Sequence, residues 1–189
     1  MVELEAEELV KLAWDALPSS HRRLLTQVGA SQWEIVNVGL GYAAEERLVS
    51  AGQTPPGKAQ TAANNDALGM WVPDLRLMLI NERHPALLGA DRATREALLT
   101  WVAWHEWGHA LSVTNLSSHD PGEGVRLMTL APEGIRERIR RGNYPRQEHI
   151  HELIAETYAL LMRERIEGRP GQPPWLPTEI YQLLTRLGI

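Results

Sequence analysis

The sequence contains no cysteine, which excludes disulfide staples, thiolate zinc sites and cysteine nucleophiles together. It has no phenylalanine, and its only lysines are Lys11 and Lys58. Tryptophan over phenylalanine and arginine over lysine read as a coding bias and point to no function. No apolar run approaches about 18 residues, so no transmembrane helix is expected. Positive charge is also scarce. Lys and Arg total 19 against 24 Asp and Glu, a net charge of -5, which argues against a chain built mainly to grip nucleic acid. The opening residues, MVELEAEELVKLAWDAL, are acidic where a secretory signal would carry positive charge. A soluble, cytoplasmic protein with no membrane partner is the expectation.

What is present is an ordinary globular composition, 43% hydrophobic and 23% charged, with a length of 189 residues that suits one domain, 1–189. Residues 1–30 read as a helical N-terminal extension, two helices divided by Pro18. WEIVNV, 33–38, alternates as a strand, and Gly39 to Gly41 turn the chain. Residues 51–69 are rich in Pro, Gly and Asn and read as a mobile loop. Met70–Val72 and Leu75–Ile80 form a hairpin about Pro73-Asp74. Leu75, Leu77 and Leu79 then share the face that covers a core. Helices follow at 92–114, 132–141, 147–167 and 178–187, the last reached through a Pro/Gly connector at 168–177. The expected class is α+β, with a small, mainly antiparallel sheet and a helical C-terminal half.

On the longest of these helices stands His105-Glu106-Trp107-Gly108-His109. Four residues of α-helix make about 1.1 turns, so both histidines project from one face and can reach one zinc ion at about 2.0–2.1 Å. Glu106 is about 100° round the helix from His105, wrong for a third ligand but right for a base beside the metal. Zinc lowers the pKa of a bound water towards about 7, and a nearby carboxylate can take the proton. This composition produces the pattern by chance in about one chain in 40, so the flanks must carry weight. They are strongly helical and apolar.

A hydrolytic zinc site needs a third protein ligand. The helix 147–167 offers Glu152 and Glu156, four apart and beside Ala155 and Ala159. Small residues there, with Gly108 opposite, would let two helices approach closely. One carboxylate suits a ligand, and the other suits an outer acceptor that fixes a ligating histidine's tautomer. HEWGH followed by Glu-x-x-Ala-Glu resembles the gluzincin class of zinc metallopeptidases. More narrowly, the order across residues 70–162 is similar to the ImmA/IrrE family of minimal cytoplasmic zinc peptidases. Glu156, Tyr158 and the long segment 115–146 depart from that family's pattern. The resemblance implies a zincin-like fold, a zinc ion held by His105, His109 and Glu152, Glu106 as general base and Glu156 behind the ligands. It implies a protein or peptide substrate, with the hairpin strand Leu75–Ile80 as the edge that lines the cleft.

Alternatives remain at several positions. His119 lies in a loop after HExxH, as in SprT-like DNA-associated proteases, and competes with Glu152 as third ligand; His149 and His151 are further candidates. Ser112 and Asn115 stand where the metzincin pattern needs Gly and His. Tyr144 and His149 are candidate oxyanion donors. Trp101, Trp104 and Trp107 read as core packing. The arginine-rich helix 132–141 reads as a solvated face laced with i, i+4 pairs. A non-catalytic zinc-binding regulatory module is the main rival function.

Overall fold

The computed structural model describes residues 5–115, 121–142, 144 and 148–189. Glu5 and Glu8 form a reciprocal capping box at the start of α1, Ala6–Asp15, satisfying donors that a helix start leaves unpaired. Pro18, with a fixed φ and no N–H, separates it from α2, Ser19–Gln27. Leu9, Val10 and Ala13 of α1 are buried in the principal core. The N-terminal helices are therefore built into that core and are no extension of it.

β1, Trp33–Val36, leads into α3, Leu40–Ser50. Gly39 to Gly41, expected as a turn, begin this helix instead. Residues 51–69, expected as a mobile loop, contain a short helix, α4, Lys58–Ala63. The segment is tied down just beyond it, where Asn65 Oδ1 accepts the Tyr42 N–H of α3 at 3.2 Å.

β2, Gly69–Val72, and β3, Leu77–Asn81, make the hairpin about a 3₁₀ turn at Pro73–Leu75. The strand order is β1-β3-β2, with β1 parallel and β2 antiparallel to β3. Two expectations are corrected. The sheet is mixed, because α3 and α4 provide the long crossover that a parallel pair requires. And β3 is the central strand, leaving β1 and β2 as the edges. A central strand is covered on both faces. Met78 and Ile80 enter the principal core, while Leu79 joins a smaller one with Leu40, Ala43 and Leu48 of α3. Leu75 and Leu77 are only partly buried.

After α5, Pro85–Leu88, Asp91 accepts the Thr94 N–H at 2.8 Å and caps α6, Arg92–Asn115, at 24 residues the longest helix described. α7, Pro121–Leu130, α8, Glu133–Arg141, α9, His149–Ile166, and α10, Thr178–Arg186, complete the chain. A third core, including Leu127, Ile135, Ile139, Ile154 and Leu184, joins these four. Two close approaches position the site. A Cβ on Gly108 of α6 would stand 2.6 Å from Ala155 Cα of α9, and one on Gly69 of β2 would stand 2.3 Å from Val102 Cγ1 of α6. No helix among the described residues is long and apolar enough to cross a membrane.

Candidate metal centre

Helix geometry brings the two histidines of α6 together. Their Nε2 atoms are 3.0 Å apart and their rings nearly perpendicular, at 78°. α9, held close by Gly108 and Ala155, delivers Glu152 onto both. Its Oε1 lies 3.3 Å from His109 Nε2 and its Oε2 3.6 Å from His105 Nε2. His105, His109 and Glu152 form a group whose ligand atoms all fall within 4.8 Å, a cluster that could hold a metal ion. Glu106 is not part of it. His119, the rival third ligand, lies outside the described residues.

Electrostatics splits the two imidazoles. Burial, with the charges of His105 and His151, holds His109 well below the usual histidine range. Burial also opposes charge on His105, yet the carboxylates of Glu152, Glu106 and Glu156 outweigh it and raise that group. Both Nε2 atoms face the Glu152 carboxylate, which lies 3.3 Å from His109 and 3.6 Å from His105.

Glu106 is 7% exposed. Its Oε2 accepts the backbone N–H of Trp71 at 2.7 Å, so the edge strand β2 anchors it beside the ligand group. Burial pushes its carboxyl up to about 7, against the charge of His105 and the Trp71 amide, with Glu152 adding to the rise. A carboxyl near neutrality can both take and return a proton. Sequence reasoning missed Trp71, and no signal could have revealed it, since the amide that matters is common to every residue but proline.

Glu156 stands behind His105, with Oε1 3.7 Å from Nδ1. Its other oxygen lies 2.7 Å from Arg138 Nε, an ion pair off the line of the N–H. Arg138 was likewise not anticipated. Of the candidate oxyanion donors, His149 turns away and its Nε2 meets the Tyr144 carbonyl oxygen at 3.0 Å. The Tyr144 hydroxyl is raised by burial and then by the charges of Glu152, Glu106 and Glu156. His151 is not in the ligand group. Its Nδ1 is 3.0 Å from Ser112 Oγ, which donates to the His109 carbonyl at 3.0 Å. It braces α9 against α6 one turn from the ligands. Trp104 and Trp107 are core residues as expected, whereas Trp101 is only partly buried.

No family model, curated protein or solved structure matches the chain. The chemistry open to the site follows from its own donors: two imidazole nitrogens, one carboxylate, and a second carboxyl of matched pKa beside them.

Proposed function

We propose that this chain is a zinc-dependent peptidase of the gluzincin type, with a zincin-like fold and a protein or peptide substrate. The ligand geometry carries the reading. Bonds of about 2.0–2.1 Å at tetrahedral angles separate ligand atoms by about 3.4 Å; here the two Nε2 atoms stand 3.0 Å apart, one oxygen of Glu152 lies 3.3 Å from His109 and its other oxygen 3.6 Å from His105. Two histidines and one carboxylate also match a catalytic zinc site, which keeps a fourth position open. Zinc held there would supply Lewis-acid polarisation of a carbonyl and acidify a water molecule.

The chain's own residues do the rest. Glu106, anchored on the Trp71 amide beside the ligand group, takes the proton from the attacking water and returns it to the leaving amine. Tyr144 donates to the oxyanion. The outer edge of β2, beside Glu106, receives the substrate as an added extended strand. Retention of Glu106 in a tuned environment favours turnover over a purely structural metal site. A chain without cysteine also suits a reducing cytoplasm.

Metal analysis of purified protein, paired with digestion of a peptide library by wild type and Glu106→Gln, tests the reading. One equivalent of zinc and cleavage lost only in the variant is the expected result. Stoichiometric zinc with no cleavage of any folded, unfolded or peptide substrate would favour the regulatory module.

A further inference from the structure

We propose that Arg138 is a positioning residue for the metal-ligand group, acting through Glu156 on His105. The inference rests on the zinc reading and deepens it. α8 carries four arginines in its last six residues, and three of them pair with carboxylates of their own helix. Arg136 and Arg140 pair with Glu133, and Arg141 pairs with Glu137. Arg138 differs. It lies beside Ile135 and Ile139, which are 2% and 1% exposed and seat α8 on the core. From there it reaches α9, with Nε 2.7 Å from Glu156 Oε2.

The guanidinium also lies 5.4 Å from the centre of the Trp101 ring, within cation–π range. Trp101 precedes His105 by four residues on α6, so the two share a face. One turn of α6 thus supplies the platform for Arg138, and the next presents the His105 imidazole, whose buried Nδ1 has no hydrogen-bond partner and faces Glu156 Oε1 at 3.7 Å. Glu156 is 8% exposed. A carboxylate so buried is held in place by its cation.

A carboxylate facing the non-ligating nitrogen fixes the orientation and tautomer of an imidazole, leaving Nε2 for the ion. Without Arg138 the Glu156 side chain loses its anchor and turns outward. One effect runs the other way, since a nearby cation repels a dication. The Arg138 side chain is 46% exposed, so solvent screens that repulsion. Losing an outer-shell partner typically weakens metal binding about 10–100-fold. Orientation wins.

The test is zinc titration of metal-free, full-length protein against a chromophoric chelator. Glu156→Gln should weaken binding about tenfold and Arg138→Gln about fivefold. Added to Glu156→Gln, the Arg138→Gln change should alter affinity less than about twofold, because the arginine acts only through that carboxylate. Arg138→Lys should recover part of the loss, and Arg141→Gln should bind like wild type. The melting temperature of the metal-free protein should fall modestly on Arg138→Gln, since Arg138 is 46% exposed but Glu156 only 11%. A merely structural arginine would lower that temperature and leave affinity alone. Unchanged or tighter zinc binding by Arg138→Gln, or fully additive losses in the double variant, overturns this inference and spares the zinc reading. Wild-type protein that takes up no zinc overturns both.

Discussion

Glu106 lies between the two histidines in sequence, but its carboxylate is fastened to the Trp71 amide and stands apart from the ligand atoms. Glu106→Gln should therefore keep its zinc while hydrolysis of a peptide the parent cuts falls about 10²–10⁴-fold. Zinc content after desalting and turnover on the same sample check both halves, and loss of the metal would show that the side chain is a ligand. Glu152 carries the complementary expectation. Its oxygens face both Nε2 atoms from a rigid helix, so Glu152→Ala should weaken zinc affinity at least about tenfold, the lower end for even outer-shell losses. His119→Ala should leave it within about twofold, as a histidine that makes no metal bond contributes none. Dissociation constants in the reverse order would move the protein to the SprT-like reading. His105, Glu106 and His109 were legible because i, i+4 geometry is local. Spacing alone left Glu152 and Glu156 as a pair, since either could have faced the histidines until the crossing of the helices was known; the family resemblance named Glu152 as the ligand, and Glu152 is the one beside both histidines.

At the scale of elements, the crossing of α6 and α9 sets the site. Gly108 allows it: any side chain there meets the Ala155 backbone, at 2.6 Å from Cα. Gly108→Val should destabilise the fold by about 1–3 kcal/mol through overpacking and lower the melting temperature by several degrees. Zinc binding should weaken too, because Glu152 rides on the displaced helix. An unchanged melting temperature would mean that the helices part at no cost. α6, α8, α9 and α10 were readable from apolar spacing and from the Pro and Gly residues that end them. α3 was not, because it buries mainly small residues such as Gly41, Ala43 and Ala44, which give little contrast between faces. α7 opens on Pro121-Gly122 with Gly124 soon after, a composition that argues for a loop.

For the whole molecule, acid sensitivity is written into a contact remote from the ligands. His21 is 3% exposed; its Nδ1 meets the Tyr158 hydroxyl at 3.3 Å, and its Nε2 meets an Arg165 guanidinium N–H at 3.0 Å. Burial, and then the Arg165 charge, lowers its pKa from 6.5 to about 4. The unfolded chain therefore binds the extra proton first. The stability that neutral His21 confers is complete above pH 6.5 and is lost as pH falls through about 4, an effect on the order of 3 kcal/mol at about 1.4 kcal/mol per unit. Urea midpoints of wild type and His21→Gln should converge as pH drops across that window, and parallel curves would contradict the assignment. Metal acts on the same global equilibrium. Zinc at one hundred times its dissociation constant should add about 2.7 kcal/mol, raising the melting temperature by about 5–10 °C. A strong chelator should reverse that rise without unfolding the protein at 25 °C, and identical melts would exclude a high-affinity site.

The sequence by itself determined what depends on short range. The spacing in HEWGH put two imidazoles on one face, two carboxylates one turn apart shared a face of the next long helix, and missing cysteine removed thiolate chemistry. Each follows from 3.6 residues per turn or from side-chain chemistry alone. Only the tertiary structure decided which carboxylate meets the ligands and which is held by Arg138, that β2 rather than β3 is an edge strand, and that a backbone amide fixes Glu106. Those facts join residues well beyond a helical turn, 18 positions apart for Arg138 and Glu156 and 35 for Trp71 and Glu106. Local periodicity says which face of an element is apolar, and it says nothing of which neighbour that face will meet.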